Sequence, residues 1–239
     1  QPVVPNVPGY KPYLPDPNDP SKPGQPVEPG KPITPENPGK DTPIIYVPKT
    51  NDVTQPTKQT VKYTSTDGKA QVPSDKIQND YTFTGKKNQA DGTTTWTENS
   101  HTYGRESVPV VSGYYADKSE AGSKTVTPTN PNAEDVVTYK PLGKIIQVDE
   151  SGNVIPGSVS KTYENNPLNP KEAAETKIPD APTGYVIKEE QPQAWGYNIV
   201  DKTIEPNDES DPDRISQDTK IVYVKADQKA VIKYVDQTT

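Results

Sequence analysis

The sequence predicts a mostly β chain with an α+β portion, organised as small modules in tandem, and three observations carry that prediction. One phrase occurs twice, "DTPIIYVPK" at residues 41–49 and "DTKIVYVKA" at 218–226. Each copy is preceded by a proline-flanked Gly-Tyr, "PNVPGY" ending at Tyr10 and "PDAPTGY" ending at Tyr185. A degenerate third copy runs from "PVVSGY", ending at Tyr114, to "EDVVTYKP". Val and Ile together outnumber Leu by 37 to 3, and 14 Tyr with abundant Thr complete an alphabet of strands. Self-similarity of this kind marks a chain assembled from repeated units rather than one large core.

Residues 1–48 hold 15 of the 29 prolines, and from Pro20 to Pro38 they fall on every third residue. Polyproline II has three residues per turn, so this stretch reads as an extended rod spanning roughly 60 Å, a spacer or a ligand for a proline-reading domain. Residues 49–141 read as a β-rich module. "TVKYTSTDGK" is a strand ending on an Asp67-Gly68 turn, and "DYTFTGKK" alternates Tyr81 and Phe83 with Thr82 and Thr84. "ADGTTTWT" turns at Asp91-Gly92 into a strand carrying Trp96, and "DVVTYK" closes the module.

Residues 142–226 read as a second module with one short helix, placed on "NPKEAAET": Asn169 as N-cap, Pro170 at the first helical position, Glu172 as the capping-box carboxylate. Strand, Asp-Glu-Ser-Gly turn, strand, helix and further strands is the order of a β-grasp, in which a sheet wraps one helix. Residues 227–239 read as the first strand of a next module, with 229–235 as a strand edge free to pair with another chain.

Composition bounds the function. Leu, Ile, Val and Phe make up 41 of 239 residues, 17%, so each core is thin. With no Cys, a thiol nucleophile, a thioester, a disulfide and a cysteine metal site are all excluded; a Lys-to-Asn isopeptide bond is a conceivable substitute, visible as loss of ammonia in the intact mass. The one histidine, His101 in "TENSHTYG", rules out a multi-His metal site and reads as a solvated loop residue. No phosphate loop or nucleophile elbow is present, and no enzymatic activity is expected. A net charge of −7 and a pI near 4.9 argue against nucleic acid. No apolar stretch reaches membrane-spanning length, so no membrane insertion is expected.

The residues "KIIQVDESGNVIPGS", "IPDAPTGY" and "DTKIVYVKA" resemble the MucBP-type mucin-binding repeat of cell-surface adhesins from Gram-positive bacteria. The stretch from "TVKYTSTDGK" through "DYTFTG" to "EDVVTYK" resembles the companion module of Mub-type mucus-binding proteins, and residues 1–48 resemble the end of a preceding MucBP unit. The resemblance implies ubiquitin-like β-grasp modules on a stalk, secreted and sortase-anchored to the cell wall, binding host mucin glycoproteins. It supplies no binding residues position by position.

Those residues are read from chemistry instead. A flat ring covers the apolar C–H face of a pyranose while nearby hydroxyls bond its rim, so aromatics are the expected sugar contacts. They are Trp195 with Tyr197 in "QAWGYN", Tyr115 beside Tyr114, and Trp96 with Tyr103, although tryptophans in modules this poor in Leu and Phe also serve as core. Tyr115, one residue past the repeated Gly-Tyr and so on the opposite strand face, is the aromatic expected to be exposed. Lys86 and Lys87 are the expected local cations toward acidic mucin. Asp208, Glu209, Asp211 and Asp213 in "NDESDPD" supply oxygens suited to a weak calcium site, with a solvated loop as the competing reading. No other cofactor is expected. The sequence therefore favours a monomeric adhesin making weak, multivalent mucin contacts. A ligand-free structural stalk, or a module that binds protein such as immunoglobulin through a strand edge, are the alternatives.

Overall fold

A computed structural model describes residues 1–34, 37, 39–192 and 194–227 of the chain. The strand expected over 227–239, with its pairing edge at 229–235, lies outside the described residues apart from Asp227. Strands dominate throughout, as the Val, Ile, Thr and Tyr content dictates. Two units are distinguished: Gln1–Thr60 with Ile77–Tyr103 and Lys124–Ala133, and Val61–Lys76 with Gly104–Ser123 and the chain from Glu134 onward. This division cuts across the 49–141 stretch read from the sequence as one module.

In the first unit the proline-rich stretch is not an extended rod over its described residues to Thr34; Pro35 and Pro38 lie outside the described residues. Asp16 accepts the Asn18 N–H at 2.7 Å and Asp19 accepts the Ser21 N–H at 3.2 Å, and these local turns bring the chain back on itself. Pro23–Pro26 then pairs antiparallel with Tyr10–Pro15, whose other edge takes Ile45–Pro48. The three-residue proline period is real, but prolines are admitted at sheet edges, and Tyr10–Pro15 offers a better partner than water. A second sheet has Thr82–Asn88 between Thr50–Pro56 and Thr94–Trp96. Gly85 faces Trp96 across the strands; a Cβ there would stand 2.9 Å from the indole, so glycine makes room for the ring. Phe83, Tyr103 and Val126 form the small core beneath, with Tyr81 and Trp96 packed against it.

The second unit holds two cores. One gathers Val61, Tyr63, Val108, Val111, Ala116, Ala121, Val137 and Tyr139. The other gathers Tyr115, Leu142, Ile145, Ile155, Tyr163, Ala173, Ile204, Ile215, Ile221 and Tyr223. The latter is covered by a mixed sheet ordered Lys161–Thr162, Lys144–Val148, Thr219–Lys225, Tyr185–Ile187, in which Lys144–Val148 runs parallel to Thr219–Lys225. Gln147 is buried in it and fully used: its Nε2 donates to Asp180 O at 2.8 Å and to the Tyr223 hydroxyl at 3.0 Å, and its Oε1 accepts the Val159 N–H at 3.2 Å.

The helix expected at "NPKEAAET" does not form. Asn169 turns its Oδ1 to the Lys171 N–H and its Nδ2 to Glu172, so the capping side chains close one turn. Ala173–Ala174 then pairs with Glu164–Asn165 while Asn207 bonds both the N–H and C=O of Ala173. One turn does not repay the cost of helix nucleation when tertiary partners for the backbone are at hand. Among the described residues the helical structure consists of a 3₁₀ turn at Arg214–Ser216, and the sheet of this unit wraps no α-helix.

The repeated phrase proves to be one piece of backbone built three times. Gly9, Gly113 and Gly184 take φ of 81°, 77° and 82° inside turns in which the Tyr10, Tyr114 and Tyr185 N–H groups bond Val7, Val111 and Pro182 C=O. Only glycine adopts that conformation without strain. Each tyrosine then starts a strand antiparallel to the closing phrase, in the registers Tyr10↔Pro48, Tyr114↔Pro141 and Tyr185↔Lys225. The next N–H along, from Lys49, Leu142 or Ala226, returns to the glycine C=O at 2.7, 2.9 and 2.9 Å. We call this unit a clasp.

The second clasp is bound by a residue about 50 positions further along the chain. Asn165 accepts the Gly113 N–H at 2.8 Å through Oδ1 and donates Nδ2 to Val111 O at 3.1 Å and Tyr114 O at 2.6 Å. Replacing Asn165 by Ala leaves three half-buried backbone groups unpaired, and a loss of about 1–3 kcal/mol in urea unfolding is expected. Asn165→Asp keeps the acceptor but not the donors and is expected to lose stability as well.

Candidate functional site

The aromatic and charged candidates occupy very different settings. Tyr115, expected on the surface, is 4% exposed. Strand alternation does put it opposite Tyr114 and Ala116, but that face meets the following core rather than water. Its hydroxyl donates to Asp213 Oδ1 at 2.7 Å, Lys140 Nζ reaches the same oxygen at 2.7 Å, and the Lys140 ammonium stands 5.9 Å from the ring centroid. Burial, and then the hydrogen bond to Asp213, push the Tyr115 hydroxyl well above the usual tyrosine range. Lys140, followed by Tyr115, holds the Asp213 carboxyl below its ordinary value.

Trp96 is half-buried, its ring 6.5 Å from Phe83, and Tyr103 is buried with its hydroxyl 2.7 Å from Thr57 Oγ1. Tyr197 packs against the second unit's larger core; its hydroxyl is buried with no partner among the described residues, and burial raises its pKa. His101, read as a solvated loop residue, instead sits in a strand paired with Thr125–Val126. Its ring stacks on Tyr81 at 3.8 Å and meets Tyr103 edge-on at 4.8 Å. The i, i+2 spacing of His101 and Tyr103 was the available signal for this role. Lys86 is paired with Asp52 at 2.5 Å, and Lys87 is exposed.

Trp195 stands apart from these. Its residue is 44% exposed, the Arg214 guanidinium lies 5.7 Å from its ring centroid, and its Nε1 donates weakly to Asn207 O at 3.4 Å. Gly196, next along the chain, is pressed against the Glu205 backbone, where no Cβ fits. Arg214 is itself held by Gln217 Oε1 at 2.7 Å. The resulting surface is an exposed ring with a guanidinium over it and the Asn207 carbonyl at its edge.

The carboxylates at 208–213 serve their own loop. Asp208 Oδ1 accepts the Ser210 N–H at 2.9 Å and its hydroxyl at 2.7 Å, Asp211 Oδ1 accepts the Asp213 N–H at 3.2 Å, and Asp213 holds Tyr115 and Lys140. Among the described residues no three His, Cys, Asp or Glu side chains stand where they could jointly hold a metal ion.

Residues 48–143 match the model of the Muc B2-like domain. Among solved structures, the chain is similar to a MucBP domain of the protein LBA1460 from Lactobacillus acidophilus (28% identity, 39% of this chain and 97% of that one, TM-score 0.30). It is also similar to the mucin-binding domain of Spr1345 from Streptococcus pneumoniae (20%, 39% and 97%, TM-score 0.32). A third is the type 2 repeat of the mucus binding protein MUB from Lactobacillus reuteri (17%, 56% and 76%, TM-score 0.30). No curated protein matches the chain.

Two outcomes are expected from this geometry. Asp213→Asn is expected to destabilise the protein at neutral pH. Because the folded carboxyl titrates below its unfolded value, its contribution is present above about pH 4 and lost as pH falls through the folded value. Urea midpoints of the two proteins should therefore converge as the pH is lowered through the folded value of Asp213. Calcium added to chelator-treated protein is expected to leave the melting temperature unchanged; a rise of several degrees would show that the 208–213 loop rearranges around the ion.

Proposed function

We propose that this chain is part of a bacterial surface adhesin that binds mucin-type glycoproteins through weak sites repeated along a stalk. The observation that carries the reading is Trp195, a 44% exposed indole flanked by Arg214, with its Nε1 on Asn207 O beside the acid-rich stretch that begins at Asp208. A ring of this kind takes the C–H face of a hexose, and carboxylate and backbone oxygens beside it accept bonds from sugar hydroxyls. With a net charge of −7, long-range attraction to sialylated or sulfated mucin is absent, so neutral sugars are the favoured ligands. Avidity then comes from many copies at high effective concentration instead of from one tight pocket. The Muc B2-like stretch supports this placement, and secretion with cell-wall anchoring is proposed along with it.

A stalk without a ligand is the second reading, favoured by the burial of Tyr115, Tyr103 and much of Trp96. The two separate on one experiment: binding of the chain, displayed in many copies, to immobilised mucin before and after enzymatic removal of glycans. Glycan-dependent capture that falls about tenfold in Trp195→Ala, with an unchanged melting temperature, is expected. Capture indifferent to both changes would point to protein recognition, and no capture at all to a stalk.

A further inference from the structure

The three clasps share a backbone but not their surroundings. In each, alternate residues of the tyrosine-led strand turn their N–H and C=O away from the closing phrase, leaving an edge. At the first clasp, Pro12 C=O accepts the Val27 N–H at 3.1 Å and Gly9 lies against Ala90, whose Cα would be 2.7 Å from a Cβ. At the second, the outward groups are Tyr114 C=O and Ala116 N–H. Asn165 Nδ2 takes the first at 2.6 Å, and the Ala116 N–H donates to Pro170 O at 2.7 Å. Tyr115 goes with them into the core that comes after.

At the third clasp the bonds of Ala226 to Gly184 and of Lys188 to Val222 fix the outward groups as Tyr185 C=O and Ile187 N–H. Tyr185–Ile187 is the outer strand of its sheet, and these two groups have no partner among the described residues. Val186 holds the place that Tyr115 holds at the second clasp, and it is 47% exposed; Val224 is its cross-strand neighbour, where Lys140 faces Tyr115. An apolar pair and an open backbone edge thus stand where the second clasp has a buried ring and two satisfied backbone groups. The chain leaves both clasps at the same point, after Leu142 and after Ala226. Past the third it reads "AVIKYVDQTT", close to "KIIQVDESGN" past the second.

We infer that the strand Tyr185–Ile187 is a docking edge for a further β module of this chain's own repeat type, entering after Asp227. Such a module covers Val186 with its core. It offers a side-chain amide to the Gly184 N–H and Tyr185 C=O, as Asn165 does one clasp earlier, and a backbone carbonyl to the Ile187 N–H. The clasp is then a joint that hands one strand's outer face to the next module, and the inference stands independently of whether Trp195 binds sugar.

The test compares amide exchange by NMR in the full chain and in a chain whose residues 228–239 are replaced by a second copy of 142–227. In the full chain the Ala116 amide is expected to exchange slowly and Ile187 fast. The added copy, confirmed as folded by its dispersed methyl signals, is expected to slow Ile187 at least tenfold and leave Ala116 unchanged. A second extension with residues 49–143 covers the case in which the first does not fold. Ile187 exchange unchanged by either folded extension overturns the inference. So does slow Ile187 exchange in the unextended chain: if it strengthens with concentration the occupant is a second copy, and if it does not the occupant is 228–239 itself.

Discussion

One three-residue strand, Tyr114–Ala116, constrains much of the second unit. Consecutive side chains of a strand point to opposite faces, so Ala116, with Tyr114 packed beside it, belongs to one core and Tyr115 to the other. The Gly113 turn fixes where that strand begins, and the Leu142 N–H returning to Gly113 C=O fixes where the closing phrase ends. Asn165 then reads the turn with three hydrogen bonds, and Asp213 ties the Tyr115 hydroxyl and the Lys140 ammonium together. Neither core is large, and a hydroxyl or carboxamide at their junction matters more than it would in a protein rich in Leu and Phe.

The same economy shapes the candidate binding surface. Most aromatic rings are consumed as core or as partners of one another: Phe83 with Trp96, Tyr81 with His101, Tyr63 with Tyr139. Trp195 is the exception, exposed with the Arg214 guanidinium over its ring. A site of one ring and a few oxygens would bind sugar weakly, and the proposed repetition along a stalk would supply the avidity. Rigid joints between modules would preserve the spacing on which such avidity depends.

Much of the strand content was legible. The alternation in "DYTFTGKK", the Asp67-Gly68 and Asp91-Gly92 turns and the closing phrases all appear where the sequence puts them, because period-two patterning and turn chemistry are local. The failures are non-local. The capping residues of "NPKEAAET" were real, yet Asn207 and the Glu164–Asn165 strand claimed the backbone first. The proline period was real, yet Tyr10–Pro15 claimed Pro23–Pro26. Alternation placed Tyr115 opposite Tyr114, but nothing in the local sequence announces that the second face meets Leu142, Tyr163 and Asp213. Of the aromatic candidates Trp195 alone is exposed, and its guanidinium neighbour, distant in sequence at Arg214, carried no signal.

If the second clasp joins the two cores of its unit as this geometry requires, they unfold as one. Methyl NMR through a urea titration tests this directly, following Val137 in the core that contains Tyr139 and Ile221 in the core that contains Tyr115. Both native signals are predicted to disappear at the same urea concentration with the same slope. Two separated midpoints, with Ile221 persisting after Val137 is lost or the reverse, would contradict it.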